Sequence, residues 1–186
     1  FLELVARDNT RLDFISWHRY SLRMSDYKND VNFILELFKK HPGLPPVEKI
    51  ITEWGSDPAR SQIHNTVFDA AHLVAAARTF IGQVDLATKF EVRDGPDNPD
   101  KGWGVLFHDG TKKPTYEALK LLNGLRRDRI SVSGEGSFVT GIASRDNSGV
   151  TIVLSNYDQT GSNTETVPVR ISGLSAGKYR LTKETI

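Results

Sequence analysis

A glutamate stands near the end of a short apolar run in the first third of the chain. The run is Ile50-Ile51-Thr52-Glu53-Trp54-Gly55, and two prolines precede it at positions 45 and 46. A β-branched run bounded by turn residues is typical of a buried strand. Barrel enzymes keep their catalytic residues at the carboxyl ends of such strands. Glu53 is therefore the first candidate for chemistry; the alternative is a glutamate that forms a salt bridge or caps a loop.

A histidine and a tyrosine lie two positions apart at the end of another predicted strand, residues 12–20. Successive side chains of a strand point to opposite faces, so His18 and Tyr20 share a face. Trp17 lies on the other face, where we expect it to pack against a helix. An ionised glutamate nucleophile needs hydrogen-bond donors, which an imidazole and a phenol on an adjacent strand could supply. The alternative is that both are amphipathic core residues with satisfied hydrogen bonds.

Composition and charge narrow the classes of function. The 186 residues are 38% hydrophobic, which is enough for a sizeable core. Lys+Arg number 24 and Asp+Glu 23, and no long block of like charge indicates a nucleic-acid or membrane partner. The absence of cysteine excludes disulfides, thiolate zinc sites and cysteine nucleophiles. No apolar run approaches the roughly 20 residues of a membrane span, and no signal-peptide pattern opens the chain. The compartment, cytoplasmic or secreted, stays open.

Predicted strands and helices alternate over the first two thirds of the chain. The first residues have the spacing of a helix whose beginning lies upstream. A strand followed by a helix, repeated three times, predicts a parallel α/β sheet. The strands are expected at residues 12–20, 50–53 and 84–90, and the helices at residues 29–40, 64–80 and 114–125.

The hydrophobic period changes after residue 128. Short alternating runs separated by glycines or an Asp-Asn turn predict an antiparallel sheet without helices. We therefore divide the chain into two domains, residues 1–127 and residues 128–186. The runs are at residues 130–132, 138–144, 150–154, 166–171 and 178–181.

Five segments carry a resemblance to a known family: residues 13–20, 51–54, 64–71, 102–106 and 112–122. In this order and spacing they resemble glycoside hydrolase family 39, the β-xylosidase and α-L-iduronidase family of retaining (β/α)8 glycosidases. The resemblance spans nearly the whole chain and is most specific around residues 51–54. A closed barrel needs eight strands and about 250 residues. The implied fold is therefore the last three βα units of a TIM barrel, strands six to eight, followed by a β-sandwich accessory domain.

The resemblance also implies a role for Glu53. It matches the catalytic nucleophile that ends strand seven, whereas the acid/base glutamate of this clan lies in an Asn-Glu pair that ends strand four. The chain contains no Asn-Glu pair. We therefore expect the acid/base residue in a missing N-terminal portion and expect the isolated chain to be inactive. Stable folding should need that portion or self-association, because five absent strands would leave an open sheet edge.

Four further residues join Glu53 in the expected site. The resemblance implies that His18 and Tyr20 orient the nucleophile and contact the sugar. Trp54, directly after Glu53, could contact sugar or pack in the core. His64 lies on the loop after strand seven, where a sugar contact or a role at the start of a helix is expected.

Two cations extend the list of candidate sugar contacts. Arg60 lies on the same loop as His64 and could bind sugar or form a surface salt bridge. At strand eight the clan usually offers a tryptophan as a floor for the sugar, and this sequence has Ala87-Thr88-Lys89. Lys89 could instead face an acidic sugar or simply be solvated.

Together these features predict a retaining glycoside hydrolase with a carbohydrate substrate and without a metal or cofactor. The first expected substrate is a xylo-oligosaccharide, whose β-glycosidic bond would be cleaved by double displacement through an ester on Glu53. One alternative is a catalytically inactive, carbohydrate-binding relative, for which the altered strand eight argues. Another is a different family of the same clan that acts on an acidic or other sugar.

Overall fold

The computed structural model describes residues 1–186, and its N-terminal part alternates strands with helices. Strands β1, β2 and β3 form a parallel sheet in that order. The prediction of a parallel α/β sheet is therefore confirmed. The elements are α1 (Leu2–Arg7), β1 (Phe14–Tyr20), α2 (Met24–Lys39), β2 (Glu48–Gly55), a 3-10 turn (Gln62–Asn65), α3 (Val67–Phe80), β3 (Leu86–Lys89) and α4 (Pro114–Asn123).

Several boundaries differ from those predicted. Helix α2 begins at Met24, five residues early, with Asp26 in its first turn, where a carboxylate is favourable. The Ser21 hydroxyl donates to that carboxylate at 2.6 Å. The helix predicted over residues 64–80 is interrupted at Thr66, whose extended backbone separates the 3-10 turn from α3. The third strand covers only Leu86–Lys89.

Strand β2 contains one residue that takes no place in the ladder. Trp17 pairs with Ile51 and the next pair is His18 with Glu53, so Thr52 is extra. The pairing with β3 shifts over the same segment. Thr52 and Glu53 both avoid the core, whereas Ile51 and Trp54 are buried. The bulge therefore turns two consecutive side chains toward one face of the sheet.

Helices α2, α3 and α4 cover one face of the parallel sheet. Their contact with β2 forms a core that includes Tyr27 of α2, Trp54 of β2 and Ala118 of α4. Trp17 donates from its indole nitrogen to the Asp30 carboxylate on α2 at 3.1 Å, which confirms its predicted helix contact. The opposite face is open, and Phe14 is exposed there. None of the helices is both long enough and apolar enough to cross a bilayer.

A second sheet, antiparallel and three-stranded, packs on helix α3. It consists of β4 (Asp128–Ile130), β5 (Val139–Asp146) and β6 (Gly149–Asn156). Val153 of β6 belongs to the same apolar cluster as the helices. The Ser155 hydroxyl donates to the Ala71 carbonyl at 2.8 Å, and the Tyr157 hydroxyl to the Leu22 carbonyl at 2.7 Å. Both sheets therefore contribute to one core.

The strands predicted at residues 166–171 and 178–181 are wrong. No regular secondary structure follows β6. Val169 is 54% exposed and Leu181 is 91% exposed. An alternating run forms a strand only where a neighbouring edge takes its hydrogen bonds and a core takes its apolar face. Neither is present along this segment.

Candidate active site

The Glu53 carboxylate receives a short hydrogen bond from the neighbouring strand. The Tyr20 hydroxyl donates to Glu53 Oε1 at 2.6 Å, and His18 Nδ1 lies 3.6 Å from Oε2. The register of β1 and β2 explains this, because His18 stands opposite Glu53 and Tyr20 opposite Gly55. Burial and the hydrogen bond to Glu53 both raise the pKa of Tyr20. The phenol therefore remains a donor throughout the neutral pH range.

The site opens on the face that the helices do not cover. The Glu53 side chain is 29% exposed and that of His18 is 59% exposed. A charge-assisted O–H···O bond fixes one carboxylate oxygen. An oriented carboxylate that solvent can still reach is suited to attack an electrophilic carbon.

Gly55 allows the Tyr20 ring and the Lys89 ammonium to approach the end of β2 closely. A Cβ atom at this position would lie 2.9 Å from Tyr20 Cε1 and 3.4 Å from Lys89 Nζ. A side chain here would therefore displace the tyrosine that holds Glu53.

The Lys89 ammonium donates to the Phe90 carbonyl at 3.0 Å and lies 5.8 Å from the centroid of the Trp54 ring. Burial lowers the pKa of Lys89, which has no carboxylate within 4.0 Å.

The expectation that Trp54 contacts sugar does not agree with its position. Trp54 is 4% exposed and belongs to the apolar core. Its ring packs edge-on against Phe80, with centroids 5.0 Å apart, and lies near His72 at 6.4 Å. The bulge in β2 is the reason, because the extra residue Thr52 returns Trp54 to the buried face of Ile51 and leaves Glu53 on the open face.

Of the two roles expected of His64, the position before α3 agrees with a role at the start of the helix, whereas its fully buried side chain does not agree with a sugar contact. Its Nε2 donates to the Ala59 carbonyl at 3.0 Å. Arg60 on the same loop is exposed, and its guanidinium lies 5.4 Å from the centroid of the Trp103 ring. Of the two loop residues, only Arg60 therefore has a surface that a ligand could contact.

A buried ion pair that sequence reasoning missed shapes the loop after β3. The Lys113 ammonium lies 2.7 Å from Asp94 Oδ2 and donates to the Gly102 carbonyl at 2.9 Å. Asp94 also accepts from the Gly104 amide at 2.8 Å. A Cβ on Gly102 or Gly104 would clash with Asp94. The two glycines flanking Trp103 were the available signal, since closely spaced glycines often mark a tight approach of other groups.

Comparison with known proteins relates this arrangement to one group of enzymes. No family model matches the chain. A β-xylosidase from Caldicellulosiruptor saccharolyticus is 26% identical over 200 residues, which cover 92% of this chain and 40% of that protein.

Solved structures share the fold. A family 39 β-xylosidase from Caulobacter crescentus matches with a TM-score of 0.68 and 24% identity, over 81% of this chain and 34% of that one. A family 39 enzyme from Xanthomonas axonopodis pv. citri matches with a TM-score of 0.69 and 20% identity, over 90% and 38%. A glucosidase from Croceicoccus marinus has a TM-score of 0.71 and 24% identity, over 84% and 35%.

The chain thus spans 40% or less of the length of these relatives. Its similarity is to the C-terminal portion of family 39 glycoside hydrolases.

Proposed function

We propose that the chain is the C-terminal part of a retaining glycoside hydrolase in which Glu53 is the nucleophile. The observation that carries the proposal is the Glu53 carboxylate, held at 2.6 Å by Tyr20 on the open face of a parallel sheet. Both residues stand at the carboxyl ends of their strands, where barrel enzymes place their chemistry. The similarity to β-xylosidases supports the same assignment.

In this mechanism Glu53 attacks the anomeric carbon and forms a glycosyl ester, which water then hydrolyses. Tyr20 occupies one oxygen of the carboxylate, which leaves the other, near His18, for attack. A retaining enzyme needs a second carboxyl group about 5 to 5.5 Å away as acid and base. We assign that role to a residue outside this chain, so the chain alone is inactive.

The remaining architecture follows from the same proposal. The parallel sheet would be strands six to eight of a (β/α)8 barrel, and the antiparallel sheet would be part of a β-sandwich. The open face, with its exposed Phe14 and Leu86, would be covered by the other barrel strands or by a second copy of the chain. The substrate class we propose is a β-linked xylo-oligosaccharide, which His18, Tyr20 and Lys89 would contact.

Covalent trapping tests the proposal. A 2-deoxy-2-fluoro-β-xyloside with a good leaving group is incubated with the complete enzyme, and the labelled peptide is identified by mass spectrometry. We expect the label on Glu53 and none in E53Q. The matched control E48Q, at the start of the same strand, should be labelled like the wild type. Sugar binding without any label would reject hydrolysis and favour the inactive carbohydrate-binding alternative.

A further inference from the structure

Three polar side chains are buried together just beyond the end of β2. Ser56 follows the strand directly, His64 lies in the 3-10 turn, and Asp69 lies in the first turn of α3. They are 3%, 0% and 2% exposed. Burying polar groups is costly unless they are paired, so their mutual contacts must offset that cost.

Asp69 is the centre of this group. The Ser56 hydroxyl donates to Asp69 Oδ1, and His64 Nδ1 lies 3.7 Å from Oδ2. Burial raises the pKa of Asp69, but His64, Ser56 and the Lys89 charge outweigh it and hold the pKa at about 2. The charge of His72, one turn along α3, lowers the pKa of Asp69 in the same direction. Asp69 is thus an anion at neutral pH and can accept from several donors at once.

The same group holds the backbone that leaves β2. His64 donates from Nε2 to the Ala59 carbonyl at 3.0 Å. The Trp103 ring, 6.3 Å from His64 between centroids, donates from its indole nitrogen to the Asp57 carbonyl at 3.2 Å. The chain from residue 56 to residue 59 is therefore fixed by side chains from three other segments.

Glu53 lies three residues before this fixed segment. Trp54 is anchored in the core, and the Gly55 carbonyl accepts from the Tyr27 hydroxyl at 2.9 Å and from the Ser21 amide at 3.0 Å. Ser56, through Asp69, is the next attachment along the chain. Each residue after Glu53 is thus held by another part of the molecule, and α3 is contacted both by the packing of Trp54 on Phe80 and by the hydrogen bond from Ser56 to Asp69.

We propose that Asp69 is a positioning residue for Glu53, acting through the Ser56 hydroxyl to fix the carboxyl end of β2. Without this anion the segment after Glu53 loses the hydrogen bond from Ser56 to α3. Gly55 then shifts against the Tyr20 ring, and the hydrogen bond between Tyr20 and Glu53 loosens. The inference rests on the proposed function, because Glu53 needs a fixed position only if it is the nucleophile.

NMR on the complete enzyme, labelled with ¹³C at glutamate and tyrosine, tests the proposal directly. In D69N we expect the Glu53 carboxyl ¹³C signal to shift and the nuclear Overhauser contact between the Tyr20 ring and the Gly55 α-protons to weaken. S56A should move the same signals by a smaller amount. D109N, in an exposed turn, is the control and should leave them unchanged. If D69N is unfolded, S56A decides alone.

Unchanged Glu53 and Tyr20 signals in a folded D69N or S56A chain would overturn the proposal. In the complete enzyme, D69N should lower kcat about tenfold or more while KM changes little, because small misplacements of a reacting group are costly. A wild-type enzyme that no fluoroglycoside labels would refute the proposed function. The NMR comparison would still decide whether Asp69 positions Glu53.

Discussion

The contact between Tyr20 and Glu53 shows how two single residues define the site. A phenol that donates to a carboxylate at 2.6 Å is held protonated by its acceptor as well as by its burial. The acceptor in turn has one of its two oxygens engaged in this bond. Removing the charge of Glu53 should therefore change the pKa of Tyr20.

We expect the substitution Glu53→Gln to lower the pKa of Tyr20. Burial would still raise it above the ordinary value, but the hydrogen bond to a carboxylate and the nearby negative charge would be gone. Titration of ¹³C-labelled tyrosine by NMR measures this in the complete enzyme. E48Q serves as the control. An unchanged Tyr20 titration in E53Q would show that the hydrogen bond does not exist in solution.

His72 makes the stability of the chain depend on pH. It is buried, donates to the Ser21 carbonyl at 2.8 Å, and burial lowers its pKa from 6.5 to about 4. The unfolded chain takes up the proton at pH 6.5 and the folded chain does not. The free energy of unfolding is therefore highest above pH 6.5 and decreases by roughly 3 kcal/mol as the pH falls to 4.

The substitution His72→Gln removes this titration and keeps an amide donor toward Ser21. Urea unfolding between pH 7.5 and pH 4.5 should show a flatter decline in H72Q than in the wild type. Asp69, with a pKa of about 2, contributes only below pH 3.8 and does not obscure the comparison. Parallel curves for the two proteins would argue against a buried neutral histidine.

At the scale of elements, the long loop between β3 and α4 depends on one ion pair. Lys113→Met leaves the Asp94 carboxylate buried without its cation, which costs about 3–5 kcal/mol. The neighbouring Lys112 is exposed and lies 4.6 Å from the centroid of the Tyr116 ring. K112M is therefore the matched control, and we expect it to stay within about 0.5 kcal/mol. Thermal and urea unfolding measure both; equal stability of the two variants would contradict the prediction.

Over the whole molecule, the two sheets should unfold together because they share a core. Val153 of β6 is 4% exposed in that core, whereas its neighbour Leu154 is 46% exposed. Val153→Ala should cost about 2 kcal/mol. Leu154→Ala should cost much less. Tryptophan fluorescence, which reports on Trp17, Trp54 and Trp103 in the first part of the chain, and circular dichroism should give one coincident transition. Two separate transitions would show that the sheets are independent.

Much of this fold follows from local sequence patterns. The alternation in residues 12–20 is enough to bring His18 and Tyr20 to one face, but their position beside Glu53 also needs the bulge at Thr52. The burial of Trp54 does not follow in the same way. Regular alternation would place Ile51 and Glu53 on one face and Trp54 on the other, and the bulge at Thr52 reverses that outcome.

Other features depend on contacts between distant parts of the chain. Asp94 and Lys113 are 19 residues apart, and Asp69 meets Ser56 across a turn and a loop. No hydrophobic period encodes either contact. Residues 166–171 and 178–181 show the opposite case. Their local pattern is that of a strand, but they form none, because no sheet edge is available to pair with them.

The extra residue in β2 also determines how this strand should be aligned with those of other proteins. A one-residue gap at Thr52 brings β1 and β2 into step, with Trp17 beside Ile51 and His18 beside Glu53. A homologue that lacked this residue would keep its carboxylate and its indole on the same faces as here. Thr52 is thus the position in β2 where a residue can be lost without changing which side chains of the strand are buried and which are exposed.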